Sequence, residues 1–259
     1  MTRRALGLAS AILLASIWAA SAGSVLVRGI PRIPDALSDP AILRALWFSA
    51  WQALLSSSLA VAAALPLAYL LSTYDFPGRG LVSAATSLPF TMPSVAVGTA
   101  FLLMVRSGLV PAGWPAIVAA HAYFNFGMCA QLISSSMGAL SARLEEAAEV
   151  LGASPARRLA AVVLPLVSSG AASAFSLTFA LSFSSFAIPL LLGGPGYRTL
   201  EVEVYSLYKI HLNPDLASAG AAIQLAVTLL AASAALLSWP TPRALEVRRR
   251  RPLSRAALP

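Results

Sequence analysis

Runs of apolar residues close to twenty long recur along this chain, separated by short polar stretches. A run of that length crosses about 30 Å of hydrocarbon as an α-helix. Six such spans are readable, at roughly 5–27, 46–72, 88–106, 113–137, 167–192 and 216–239. The second is long enough to tilt or to extend past the bilayer. Turn chemistry marks two of the joints, Pro77-Gly78 and Gly193-Gly194-Pro195-Gly196. Pro89 and Pro93 in the third span predict a kink or a broken helix, which a membrane tolerates where the freed backbone groups find partners or line a cavity. The expected fold is an all-α polytopic membrane protein, a single transmembrane domain over 1–259 with six helices.

Composition agrees with that pattern: 58% of residues are hydrophobic and 11% charged, against about 25% charged in a soluble domain. The opening MTRRALGLASAILLASIWAASAG has the basic start and small residues of a signal peptide. Because the apolar run continues to about Val27, it reads as an uncleaved first span, with cleavage near Ala22 as the alternative. The net charge of +8 raises nucleic acid as a partner, but Arg248, Arg249, Arg250 and Arg251 sit together in the tail at 240–259. A basic tail beside anionic lipid explains them, and no nucleic-acid partner is expected. Lone Cys129 excludes an internal disulfide or a thiolate cluster.

Positive charges orient the spans. With the N-terminus inside, the inner side holds twelve arginines and the outer side six basic residues, Arg28, Arg32, Arg44, Arg106, Arg198 and Lys209. Half of the inner count comes from the tail, so the orientation leans on it. Both termini and the 141–165 loop are then expected in the cytoplasm, the whole in the cell membrane. The spans carry almost no ionisable groups, which argues against the buried relays of a proton-driven pump and for a passive gate driven from elsewhere.

The exception to the oily pattern is the loop at 141–165. Leu144, Ala147, Ala148 and Leu151 fall at i, i+3, i+4 and i+7, one apolar stripe of a short helix. Glu145 and Glu149 lie on another face, with Glu146 beside the stripe, and Ser141 is placed to cap. Gly152 is placed to end the helix in a left-handed conformation, followed by Ala153. Ser154-Pro155 then reads as the cap and first residue of a second short helix that carries Arg157 and Arg158 and runs to Leu164-Pro165. On pattern alone, an interfacial helix and a docking element fit equally well.

Glu146-Ala147-Ala148, three residues, Gly152, nine residues and Val162-x-Leu164-Pro165 resemble the EAA loop of ABC importer permeases, with Val in place of Ile at 162. In that family the loop forms coupling helices that dock on a cytoplasmic ATPase. The resemblance therefore implies coupling roles for Glu145, Glu146, Ala147, Ala148, Leu151, Gly152, Ala153 and Pro165. It further implies an ATPase dimer that binds ATP and Mg, an extracytoplasmic solute-binding protein, and no cofactor in this chain. Phe48-Ser49-x-Trp51-Gln52-Ala53, Phe76-Pro77-Gly78-Arg79, Ala120-His121-x-x-Phe124-Asn125 and Ser184-Ser185-Phe186-Ala187 are similar to thiamine permeases, and in part to ferric-iron permeases. Those relatives commonly carry two six-span halves, and this chain resembles the first. The resemblance thus implies pairing with a second copy or a paralogous chain, and transport of thiamine, with ferric iron or another small solute as alternatives.

The remaining chemistry is sparse. Lys209 is the single lysine and has no Gly-Lys-Ser/Thr context, so no phosphate-binding loop is present. His121 and Asn125, four apart, either contact solute or make interhelical hydrogen bonds. No second histidine stands at ligand spacing, so no metal site is expected. Ser182, Ser184 and Ser185, beside Phe183 and Phe186, either line a path or allow close packing. Glu201 and Glu203 alternate with Val202 and Val204 in a segment read as an outward loop able to receive a binding protein or attract a cation. The expected function is a transport subunit, not an enzyme. The rivals are a secondary transporter, which needs an intramembrane ion site; a membrane-embedded enzyme, which needs convergent catalytic groups; and a non-transporting assembly subunit.

Overall fold

A computed structural model describes residues 2–138, 148, 150–154, 157, 161, 164–238 and 251–252. The helices are α1 (Thr2–Gly29), α2 (Ile33–Ser38), α3 (Pro40–Thr73), α4 (Arg79–Thr91), α5 (Ser94–Arg106), α6 (Trp114–Gly138), α7 (Leu164–Phe183), α8 (Ala187–Leu192), α9 (Leu200–Lys209) and α10 (Pro214–Ser238). A 3-10 turn at Ile30–Arg32 joins α1 to α2.

The 34-residue α3 is the axis of the bundle. It packs most extensively on α6, then on α7, while α1 lies on α10. Asp39 starts α3: its carboxylate accepts from the amides of Ala41 at 2.7 Å and Ile42 at 3.1 Å, with Pro40 in the first turn. Both features satisfy a helix N-terminus, where backbone donors lack partners. At the other end the Arg79 guanidinium donates twice to the Leu71 carbonyl, at 3.0 and 2.7 Å. That carbonyl belongs to the last turn of α3, so a cation caps the negative end of the helix. Between these ends Ala60, Ala64 and Ala68 form a buried small-residue row against Ile133, Met137 and Val167, the close backbone approach that drives helix association without water. Gly170 of α7 meets the Ser136 side chain of α6 in the same layer, with no room for a Cβ.

Two expected spans are broken. The third becomes α4 and α5, bent by 93°. The hinge is Met92-Pro93, with Met92 extended at φ −74, ψ 149, as a residue before proline prefers. The expected 167–192 span ends at Phe183 and resumes as α8 after Ser184–Phe186. Among the described residues four stretches, 10–38, 40–73, 114–137 and 214–238, are long and apolar enough to cross a membrane, and counting the bent pair as one span makes five. The difference from the expected six is the 164–192 stretch, whose described apolar helix, Val167–Phe183, is shorter.

The segment read as an outward loop is helical over Leu200–Lys209. Its Glu-Val-Glu-Val alternation suggests period two, but Leu200, Glu203 and Leu207 are buried together, which is a helical spacing.

The bundle has two distinct ends. At one, Phe48 meets Tyr197 at 5.6 Å and Trp51 meets Trp114 at 5.4 Å between ring centroids. At the other, Ser72 donates to Met137 Sδ at 3.3 Å, and Tyr74–Asp75 pairs in parallel with Arg251–Pro252. Gly29 at the end of α1 abuts the Ser218 carbonyl in the first turns of α10. The start of α1 therefore shares an end with the 74–78 turn and the close of α6.

Candidate functional site

The segment after α6 holds the expected coupling residues. Glu145, Glu146 and Ala147 lie outside the described residues, as does Glu149. Ala148 is helical and half-buried, while Val150 and Leu151 are 88% and 86% exposed. Gly152 takes φ +76, and the amide of Ala153 donates to the Ala148 carbonyl at 3.0 Å. This six-to-one bond over a left-handed glycine is a Schellman ending. One residue on, Ser154 Oγ accepts from the Arg157 amide at 3.3 Å, the bond a helix N-cap makes to its third residue. The chain is thus punctuated at Gly152 and restarted at Ser154, with two large apolar side chains left facing outward. Pro165 lies in the first turn of α7.

Of the five expected path residues, three meet. His121 Nδ1 lies 3.0 Å from Gln52 Oε1. Gln52 Nε2 donates to the Ser182 carbonyl at 2.9 Å, and Asn125 Nδ2 to Ser182 Oγ at 3.3 Å. Asn125 also donates to the His121 carbonyl at 3.0 Å. All four residues are buried, so within this chain their polar groups tie α3, α6 and α7 together. His121 Nε2 and Asn125 Oδ1 have no partner among the described residues.

Ser184 and Ser185 stand apart from that cluster, at the α7–α8 break. Ser184 Oγ pairs with Thr228 Oγ1 at 2.7 Å, and the Ser185 carbonyl accepts from Thr199 Oγ1 at 3.2 Å. A broken helix leaves backbone groups that an apolar environment cannot solvate. Here a hydroxyl from the turn before α9 takes one of them.

Residues 58–239 match the family described as binding-protein-dependent transport system inner membrane component. The chain belongs to that family. Over 187 residues this inner membrane component is 30% identical to the putrescine transport system permease protein PotI of Escherichia coli (strain K12), covering 70% of this chain and 65% of PotI. Over 209 residues it is 31% identical to the thiamine transport system permease protein ThiP of Brucella abortus (strain 2308), covering 74% of this chain and 38% of ThiP. The match thus spans just under two thirds of PotI and well under half of ThiP. Among solved structures, a bacterial alginate ABC transporter in complex with alginate pentasaccharide-bound periplasmic protein contains a chain of the same fold. Its TM-score is 0.67 at 17% identity, over 88% of this chain and 93% of that one. The inner membrane component is therefore membrane-embedded, with a permease fold.

Ser49 and Gln52 carry no expected role beyond the resemblance of their segment, yet both are structural partners. Ser49 Oγ accepts from the Leu200 amide at 2.7 Å, so it positions α9. The signal was present: Ser49, Gln52 and Ser56 stand three and four apart in an apolar helix, and all are buried. A polar stripe at that spacing inside a span marks a face that must find partners.

Proposed function

We propose that this inner membrane component is the permease subunit of an ATP-driven, binding-protein-dependent importer. The family match over 58–239 carries the reading, and the helix ending at Gly152 with its exposed Val150 and Leu151 supports it. In this reading a solute-binding protein delivers cargo at the end of the bundle that holds Trp114 and Tyr197. An ATPase dimer docks at the opposite, cytoplasmic end, where both termini lie, and contacts Glu145, Glu146, Ala147, Ala148, Leu151, Gly152 and Ala153. Two permease units, either copies or paralogues, surround one path. Nucleotide and loaded binding protein each favour one of two arrangements of the spans, and the loop couples them.

Thiamine is the proposed cargo, on the similarity to ThiP. Putrescine is the second reading, on the similarity to PotI. Both are organic cations. The deciding experiment reconstitutes the chain with its ATPase and measures association, ATP hydrolysis and uptake of each labelled solute. Gly152→Pro forces a negative φ where +76 is required, and Glu146→Lys reverses a charge in the docking loop. Each is expected to lower ATPase association or to uncouple hydrolysis from uptake. Normal assembly and uptake in both variants would sink the reading.

A further inference from the structure

A cavity of about 400 Å³ opens between α1, α9, α10 and the α7–α8 break, within the size range of small-molecule sites. Its main wall is one face of α9. Glu201, Val204, Tyr205 and Tyr208 stand at i, i+3, i+4 and i+7 and all line it. Phe186, from the break, closes the side next to Tyr205, with ring centroids 5.1 Å apart and planes tilted by 59°. Tyr205 and Tyr208 are 45% and 55% exposed, so their rings are available at the surface.

The one carboxylate in this wall is Glu201. Its Oε2 accepts from Gln224 Nε2 of α10, a neutral donor that orients the group without cancelling its charge. Among the described residues it has no cationic partner. A carboxylate that lines one cavity with three aromatic rings offers the chemistry of a cation site: the ring faces are electron-rich and the carboxylate supplies a local negative charge. Lys209 also borders the cavity. It is eight residues along α9 from Glu201, a rise of about 12 Å at 1.5 Å per residue, and the two form no ion pair among the described residues. Its own ammonium lies 5.8 Å from the ring centroid of its neighbour Tyr208, which leaves Phe186 and Tyr205 as the rings that no cation of this chain faces among the described residues.

We infer that this cavity binds an organic cation, with the charge at Glu201 and the body of the ligand against Phe186, Tyr205 and Tyr208. The inference gives the proposed cargo class a place in this chain, and rests on the proposed function for the ligand being cargo. Putrescine, an aliphatic diammonium, and thiamine, a flat cation, share the required chemistry, and the experiment separates them.

The test is calorimetric titration of the purified full chain in dodecyl maltoside with putrescine, thiamine and uncharged 1,4-butanediol. At least one cation is expected to bind and butanediol is not. Glu201→Gln keeps a group able to accept from Gln224 while removing the charge, and is expected to raise Kd by about tenfold or more. Tyr205→Ala is expected to weaken binding, and Tyr205→Phe to leave it near wild type. No binding of either cation by the wild-type chain, or an unchanged Kd in Glu201→Gln, overturns the inference. Cation binding by a chain that never couples to an ATPase would retain the site and remove the importer reading; coupling without cation binding would do the reverse.

Discussion

Gln52 and His121, 69 residues apart, face each other at 3.0 Å, buried inside the bundle. Gln52 is the centre of that contact, since its amide also reaches the Ser182 carbonyl. Replacing it leaves His121 Nδ1 and a helix-end carbonyl without partners. Gln52→Leu is expected to lower stability by about 1–2 kcal/mol, read as an earlier unfolding transition of the detergent-solubilised chain. An unchanged transition would show that water or lipid replaces the network at no cost.

The latch between Arg79 and Leu71 makes a second, local prediction. Arg79→Met keeps most of the side-chain volume but removes two hydrogen bonds and the charge at the end of α3. A loss of about 1 kcal/mol is expected, with faster amide hydrogen exchange confined to the last turn of α3. Uniform exchange across the helix would count against a capping role.

Gly170 and Ser136 are predicted to act as a pair. A Cβ at 170 would meet the Ser136 side chain, so Gly170→Ala is expected to destabilise by about 1–3 kcal/mol through overpacking. Adding Ser136→Gly opens that space and is expected to recover part of the loss, so the two effects do not add. Additive losses in the double variant would remove the contact.

Leu151 is predicted to matter to a partner and not to the fold. At 86% exposure its replacement by Asp is expected to leave thermal unfolding of the isolated chain within about 0.5 kcal/mol of wild type. ATPase association is expected to fall in the same variant, by pull-down of the co-expressed complex. Equal association would remove Leu151 from the docking face.

Much of this was legible in the sequence, for identifiable reasons. The unbroken spans announce themselves through length and apolarity; Gly152 announces its turn because few residues accept a positive φ, and Ser154 because its hydroxyl accepts from a helix-start amide. The break at Ser184–Phe186 was hidden: no proline or glycine marks it, and one of its carbonyls, that of Ser185, is taken by Thr199, fourteen residues away. The helix at 200–209 was hidden by a short alternation of Glu and Val whose burial depends on α3 and α10. His121, Asn125 and Ser182 were named without their partner, because Gln52 joins them only once α3, α6 and α7 are packed.

At 1.5 Å per residue, the 34 residues of α3 make a rod about 51 Å long, against about 30 Å of hydrocarbon. One rod therefore carries the Asp39 cap, the Gln52 contact and the carbonyl that Arg79 holds. Pivoted about one end, a tilt of about 5° would displace the other end by about 4 Å, more than a hydrogen bond can stretch.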